Sequence, residues 1–322
     1  MKTIQSVLVV GAGAVGAVVA SSIHRALPGT ASLLVDAERA ARLRATGLVV
    51  NGRRIDLPLS LAAPASGAAQ DVRAADLIIV AVKQHQLAQA IVDMGPYVGS
   101  ESLIISLLNG IASEEELAAA FGGDKVLYAM ILGIDAVREG GEIRHSAQGV
   151  INFGEAKNPP GHRGEKVDRV AAFFDRACVA YAIPEDMTRT LWYKLMINVG
   201  INPASAVMRA PYGVFQRLPE ARRVMDSAMR ELITIAKIKG TGLVEADLDS
   251  WYRTLAGLAP LGKTSMLQDV EAGRKTEIEL FSGAVVRMGE ETGVQTPVNR
   301  LLFDMVRAIE LSYRGAESKA VG

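Results

Sequence analysis

Apolar positions along the chain follow two different periods, and the change between them divides the sequence. In the first half they form short runs rich in β-branched residues: SVLVV at 6–10, ASLLVD at 31–36, LIIVAV at 77–82, LIISLL at 103–108 and KVLYAMIL at 125–132. Short runs that are apolar at consecutive positions mark strands covered on both faces. Segments of helical composition such as AVVASSIHRAL and SEEELAAAF separate these runs. Strands alternating with helices predict an α/β domain built on a Rossmann-type, doubly wound parallel sheet. Within it, GLVVNGRRIDLPLSL holds Asn51-Gly52 between alternating runs, a strong hairpin signal. A second β-rich piece, GEIRHSAQGVINFGE, leads into the Pro/Gly-rich loop KNPPGHRGE.

From about Pro184 the period lengthens to that of helices, carried by 187–202, 215–239, 245–257, 263–290 and 296–314, with no convincing strand run. The pattern predicts an α/β domain over 1–183 and an all-α domain over 184–322. One helical segment stands out. In LWYKLMINVGINPASAV, residues 191–207, Lys194, Asn198 and Asn202 recur every four residues and define one narrow stripe. Trp192, Leu195, Met196, Ile197 and Val199 take most of the remaining circumference, as in a buried helix. Polar groups in such a helix need partners, because an unpaired polar group in an interior costs kilocalories. A ligand is one such partner. Two plainer readings compete: Lys194 can snorkel to water, and Asn202 can cap a helix that starts at Pro203.

Composition narrows the choice of ligand. Lysine plus arginine (35) equals aspartate plus glutamate (35), so no basic footprint points to nucleic acid or an anionic membrane. A single cysteine, Cys178, and four scattered histidines give no internal disulfide and no metal-ligand spacing. The expectations are a metal-free, soluble, cytoplasmic protein with a small-molecule ligand. The opening MKTIQSVLVVGAGAVG also has the outline of a secretory signal, but its glycines have another use.

Gly11, Gly13 and Gly16 stand in G-x-G-x-x-G spacing, directly after one strand run and before a helical segment, with Ala14 and Val15 opening that helix. In this context the motif reads as a dinucleotide site: a tight turn at Gly11, close approach of pyrophosphate at Gly13, and helix packing at Gly16. Asp36 closes the second strand run, where a carboxylate accepts hydrogen bonds from the adenosine ribose and favours NAD(H). Arg39 and Arg42 lie close enough in sequence to reach a 2′-phosphate, which favours NADP(H), and the residues alone leave the two cofactors equal. Two further loops leave strand ends: VKQHQ, offering Lys83 and Gln86, and NGI, offering Asn109. Lys83 could equally be a solvated loop lysine and Asn109-Gly110 a simple turn. In the second half, Ser265 and Glu277 are twelve apart and cannot share a pocket from one straight helix: a bend at Gly273 would let both approach one pocket, and without it Glu277 reads as a surface carboxylate.

Taken together, GAGAVG, VKQHQ, LLNGI, GEIRHSAQGVINFGE, WYKLMINVGINP, TSMLQDVEAGRKTEIE and GVQTPVN resemble the ketopantoate reductase family, the 2-dehydropantoate 2-reductases, over nearly the whole chain. The resemblance implies hydride transfer from NAD(P)H to C2 of 2-dehydropantoate, giving (R)-pantoate for pantothenate biosynthesis. It implies Lys194 as general acid and Glu277 as a catalytic-site carboxylate that holds substrate. It further implies Asn109, Asn198, Asn202 and Ser265 as substrate ligands, Lys83, Gln86 and Asn109 beside the cofactor, and a homodimer formed through the helical domain. Two positions depart from the family pattern: VDAER stands where many members carry an arginine suited to NADPH, and NPASAV replaces the more usual NPLTAL. The competing readings are a reductase of another small 2-oxo or 2-hydroxy acid, a more distant β-hydroxyacid or polyol-phosphate dehydrogenase, and a non-catalytic dinucleotide sensor.

Overall fold

The computed structural model describes residues 2–62 and 72–319. The chain divides into two compact units, Met1–Thr188 and Arg189–Gly322.

Among its described residues the first unit contains twelve strands: β1 Val7–Val10, β2 Ala31–Val35, β3 Leu48–Val50, β4 Arg53–Ile55, β5 Leu59–Leu61, β6 Ala75–Val80, β7 Val98–Ser106, β8 Val126–Ile134, β9 Val137–Glu139, β10 Glu142–Arg144, β11 Gln148–Gly154 and β12 Tyr181–Ala182. Its helices are α1 Ala14–Ala26, α2 Ala37–Thr46, α3 Leu87–Met94, α4 Ser113–Phe121 and α5 Glu165–Arg176. The main sheet has the order β12-β11-β8-β7-β6-β1-β2-β5. Its central strands are buried on both faces. Val7, Val9, Leu33, Leu77 and Ile105 join a core with residues of α1 and α5, while Leu8, Val10, Ile78, Val80 and Ile104 join another with residues of α3 and α4. Each such side chain contributes roughly 1.5–3 kcal/mol by leaving water, which is why consecutive rather than alternate positions are apolar.

The chain winds outward from β1 in both directions, through β2 and β5 on one side and β6, β7 and β8 on the other, so the sheet has a switch point at β1 and β6. Ligands of open α/β sheets bind at the carboxyl ends of such a strand pair.

The expectation of a parallel sheet holds from β5 to β8 and fails at one edge. Strand β11 pairs antiparallel to β8, and β12 follows β11. Between β8 and β11 the chain makes only the β9–β10 hairpin, with no crossover helix to return it to the parallel direction. The Asn51-Gly52 hairpin forms as predicted, both residues having positive φ (48° and 72°), as a type I′ turn requires. It joins a separate four-stranded sheet, β4-β3-β10-β9, that contacts α1 through β3 and β10.

The helical elements are α6 Met187–Met208, α7 Tyr212–Arg217, α8 Pro219–Ile238, α9 Asp247–Gly257, α10 Ser265–Glu271, α11 Ser282–Thr292 and α12 Pro297–Lys319. Two sequence readings are corrected here. Helix α6 runs through Pro203 to Met208, so Asn202 is not the cap of a new helix. The 263–290 pattern is two helices, divided after Glu271. Gly273 adopts a left-handed conformation (φ 63°), and the Gly273 and Arg274 N–H groups donate to Val270 and Asp269 carbonyls at 3.2 and 2.8 Å. That pair of bonds is a Schellman motif, and it stops α10. Among the described residues no helix is long and apolar enough to cross a membrane, and no group of three or more His, Cys, Asp or Glu side chains is placed to hold a metal.

Candidate active site

In the first unit the glycine loop follows β1 directly. Gly11 has φ 103°, and a Cβ there would lie 2.7 Å from the Ala81 carbonyl oxygen, at the end of the neighbouring β6. A Cβ on Gly16 would lie 2.0 Å from the Gly11 carbonyl oxygen, so α1 can approach the loop only without a side chain there. Gly13 differs. It has ordinary φ (−71°), caps α1 with no side-chain bond, and an added Cβ meets nothing nearer than 3.9 Å. Packing therefore demands glycine at 11 and 16 but not at 13. The open side of Gly13 and the first-turn N–H groups of Ala14, Val15 and Gly16, for which a helix provides no internal acceptor, suit a phosphate. No carboxylate occupies that first turn.

Asp36 lies at the end of β2, as its sequence position implies, but it also has structural work. Its carboxylate accepts the Arg39 N–H at 2.7 Å and caps α2. Arg39 turns back toward the glycine loop and donates from Nη2 to the Ala12 carbonyl at 2.7 Å. Arg138, on β9, donates from Nη1 to the same oxygen at 3.2 Å. The Arg39 pKa is lowered, first by burial and then by the charges of Arg138 and Arg42, with Asp36 acting in the opposite sense. Nothing in the spacing of VREGGEIR singled out Arg138: it is distant in sequence and is brought to the loop by the small sheet.

Lys83 and Gln86 sit on the loop after β6, both exposed. The Gln86 side-chain oxygen accepts the Lys83 backbone N–H at 3.2 Å, so part of its role is to shape this loop. Asn109 is partly buried, and Gly110 beside it has φ 96°, so the turn reading of Asn109-Gly110 is also correct. The base of that loop is tied by a buried pair missed in the sequence. Ser106 and Ser113 hydroxyls lie 2.8 Å apart, and Ser113 donates to the Glu114 carboxylate at 3.0 Å.

The second unit assembles the polar stripe of α6. The Asn202 amide donates to Asn198 Oδ1 at 3.2 Å, and Ser265 donates to Asn202 Oδ1 at 3.2 Å, with the Met266 N–H directed to the same oxygen at 3.4 Å. Asn198, Asn202 and Ser265 thus form one hydrogen-bonded row, with Lys194 one turn further along α6. Leu195, Met196 and Val199 beside this row are at most 1% exposed, whereas Lys194 and Asn198 are partly exposed. The row is positioned from below: Thr264 caps α10 by accepting the Leu267 N–H at 3.1 Å and donates to Ser205, which in turn donates to the Ala210 carbonyl. Ala204, Ser205 and Ala206 are all 0% exposed, so the NPASAV departure lies in packing and not on the polar row.

Glu277 lies past the Gly273 break, at the start of a 3-10 turn over Ile278–Leu280. Its backbone is fixed by Thr276, whose N–H and hydroxyl both donate to buried Glu310 of α12 at 2.7 and 2.6 Å. GVQTPVN has a structural use: Glu231 of α8 accepts the Val298 and Asn299 N–H groups at the start of α12. Two surface grooves, of 470 Å³ beside Arg222 and Tyr252 and 590 Å³ beside His24 and Leu57, contain none of the candidate residues.

A glycine-loop Rossmann sheet joined to a helical unit that displays a lysine beside an amide row defines a dinucleotide-dependent oxidoreductase. Comparison with known proteins gives its family. The model described as ketopantoate reductase PanE/ApbA matches residues 7–158, and that of the ketopantoate reductase C-terminal part matches 186–310. The chain belongs to the ketopantoate reductase family. It is 29% identical over 305 residues to a 2-dehydropantoate 2-reductase of Halobacterium salinarum, covering 94% of this chain and 97% of that one. Among solved structures, a PanE/ApbA family ketopantoate reductase from Ralstonia eutropha superposes with TM-score 0.80 at 27% identity, covering 96% of this chain and 99% of that one. A D-mandelate dehydrogenase with NADH and anilino(oxo)acetate superposes with TM-score 0.83 at 21% identity over 96% and 99%, a likeness of fold.

Proposed function

We propose that this enzyme reduces the C2 ketone of 2-dehydropantoate to (R)-pantoate with a nicotinamide dinucleotide. The observation that carries the reading is the stripe Lys194, Asn198 and Asn202 on a helix otherwise packed into a core, joined at Asn202 by Ser265 from the start of α10. Amide and hydroxyl groups on this row can bind the carboxylate and carbonyl oxygens of a 2-oxo acid. The bound cofactor supplies the hydride.

Lys194 donates a hydrogen bond to the ketone oxygen, which polarises the carbonyl, and passes its proton to that oxygen as the alcohol forms. The amine recovers a proton from water. Glu277, held by the Thr276–Glu310 contact, accepts a hydrogen bond from the substrate hydroxyl. Binding energy from these remote groups orients the ketone for attack.

A steady-state assay with 2-dehydropantoate and either NADPH or NADH tests the reading, run beside a panel of other 2-oxo acids. The expected kcat/KM is ~10⁴ M⁻¹s⁻¹ or more for 2-dehydropantoate. Lys194→Met should lower turnover by orders of magnitude while cofactor affinity is retained. Greater efficiency with another 2-oxo acid would reassign the substrate, and a fully active Lys194→Met enzyme would remove the proposed general acid.

A further inference from the structure

Arg39 and Arg138 come from different parts of the first unit and meet on one atom. Arg39 is in the first turn of α2, and Arg138 is on the edge strand of the small sheet. Both donate to the Ala12 carbonyl, at 2.7 and 3.2 Å, and among the described residues neither forms an ion pair with a carboxylate. Two guanidinium groups sharing an acceptor repel each other, and one backbone carbonyl cannot neutralise them. The Arg39 Nε is also buried without a partner. A buried guanidinium donor left open beside a second cation is suited to an oxyanion.

The location says which anion. The pyrophosphate of a bound dinucleotide belongs at the N-terminus of α1, beside Gly13. The arginine pair instead lies on the β2–α2 side of the loop, where the adenosine ribose is held and where an arginine accommodates a 2′-phosphate. Asp36, the carboxylate that would repel such a phosphate, has one oxygen engaged in capping α2 and lies against Arg39. Arg42 adds a third positive charge nearby, partly offset by Glu38 at 4.0 Å.

We propose that Arg39 and Arg138 together clamp the 2′-phosphate of NADP(H), so that the small sheet carries a cofactor-specificity residue, Arg138, to the glycine loop. The inference rests on the dinucleotide reading above and sharpens it. The clamp replaces an arginine placed directly after the second strand, a position held here by Asp36. It also gives the β9–β10 hairpin a function in cofactor choice.

Direct binding tests it, without turnover. NADPH, NADH, 2′-AMP and 5′-AMP are titrated into wild type, Arg39→Ala, Arg138→Ala and Arg138→Lys by calorimetry. Wild type should bind NADPH more tightly than NADH, and 2′-AMP more tightly than 5′-AMP. Each alanine variant should lose roughly 10- to 100-fold in affinity for NADPH and 2′-AMP, the range for a lost hydrogen bond to a charged group. Affinity for NADH and 5′-AMP should stay within a fewfold, and Arg138→Lys should restore part of the loss. Equal losses for NADPH and NADH would overturn the proposal in favour of a pyrophosphate contact, and no loss for either would overturn the clamp altogether. Binding of neither dinucleotide by wild type would instead refute the dinucleotide reading itself. Because Arg39 packs on the loop, a melting curve of each variant separates misfolding from lost recognition, and Arg138, exposed on an edge strand, is the cleaner of the two.

Discussion

Alanine at position 13 and alanine at position 16 make opposite demands on one loop. At Gly13 the new methyl meets nothing nearer than the Ala81 carbonyl oxygen at 3.9 Å, and φ is −71°, which any residue adopts. Loss of glycine at an N-cap costs about 0.5 kcal/mol, and the reduced freedom of the unfolded chain returns roughly 0.4–1 kcal/mol. The two nearly cancel, so the Tm of Gly13→Ala without ligand should stay within a degree or two of wild type. On the dinucleotide reading the same methyl stands where pyrophosphate has to reach the backbone. Displacing it from even one charge-assisted N–H bond costs roughly 1.5–3 kcal/mol, or at least tenfold in cofactor affinity. At Gly16 the methyl falls 2.0 Å from the Gly11 carbonyl oxygen and 3.2 Å from the Ala81 methyl. Neither neighbour is a flexible side-chain end, so α1 or the loop must move. Overpacking of this kind costs about 1–3 kcal/mol, and at about 2–4 °C per kcal/mol the Tm of Gly16→Ala should fall by several degrees. Thermal melts with and without cofactor, beside a calorimetric Kd, measure both effects. A Gly13→Ala protein that binds cofactor like wild type, or a Gly16→Ala protein that melts like wild type, would refute the division of labour.

Three further outcomes are expected. Glu310→Ala leaves the Thr276 N–H and hydroxyl without their acceptor, at roughly 1–3 kcal/mol for each buried group; KM for the oxo acid should rise and Tm should fall, while a matching loss of cofactor affinity would point to general loosening. Asp76 is pushed up by partial burial, but hydrogen bonds from Gln5 and Ser6 and the charge of Lys2 outweigh that and hold its pKa below the ordinary 3.8. Because the folded value is the lower one, its contribution is full above about pH 5 and drains as pH falls through the folded pKa; Asp76→Asn should flatten the acid limb of the Tm–pH curve, and an unchanged limb would reject the linkage. Cys178 is exposed and left-handed (φ 51°) at the end of α5, where its N–H and that of Val179 close a Schellman motif. Cys178→Gly should therefore raise stability by about 0.5–1 kcal/mol in a denaturant melt, and a loss would show that the thiol packs more than its exposure implies.

What could be read from the sequence was what repeats locally. The runs at 6–10, 31–36, 77–82 and 103–108 each became a strand buried on both faces, and Asn51-Gly52 became the turn its backbone angles require. The Lys194, Asn198 and Asn202 stripe was visible because four-residue spacing is a property of one helix. That one straight helix would keep Ser265 and Glu277 apart followed from its length, and Gly273 was the visible place for a break, which the structure has there. What was hidden depends on long-range pairing. Arg138 reaches the Ala12 carbonyl across 126 positions, Thr276 reaches Glu310 across 34, and Ser265 reaches Asn202 across 63. No local period encodes such contacts, and single arginines or glutamates are too common to signal them.

This contrast bears on how chemistry and specificity are distributed. The groups proposed to carry the chemistry lie on elements whose periodicity marks them: a glycine loop between strand and helix, and one stripe of α6. Residues that set positions, such as Glu310, and the pair proposed for cofactor choice lie on α12, on α2 and on a hairpin, where sequence change leaves the local patterns intact. Members of one family can therefore share a reductase framework while differing in cofactor and oxo acid. In this chain Asp36 alone argues for NADH, and a strand beginning a hundred residues later brings the charge that argues against it.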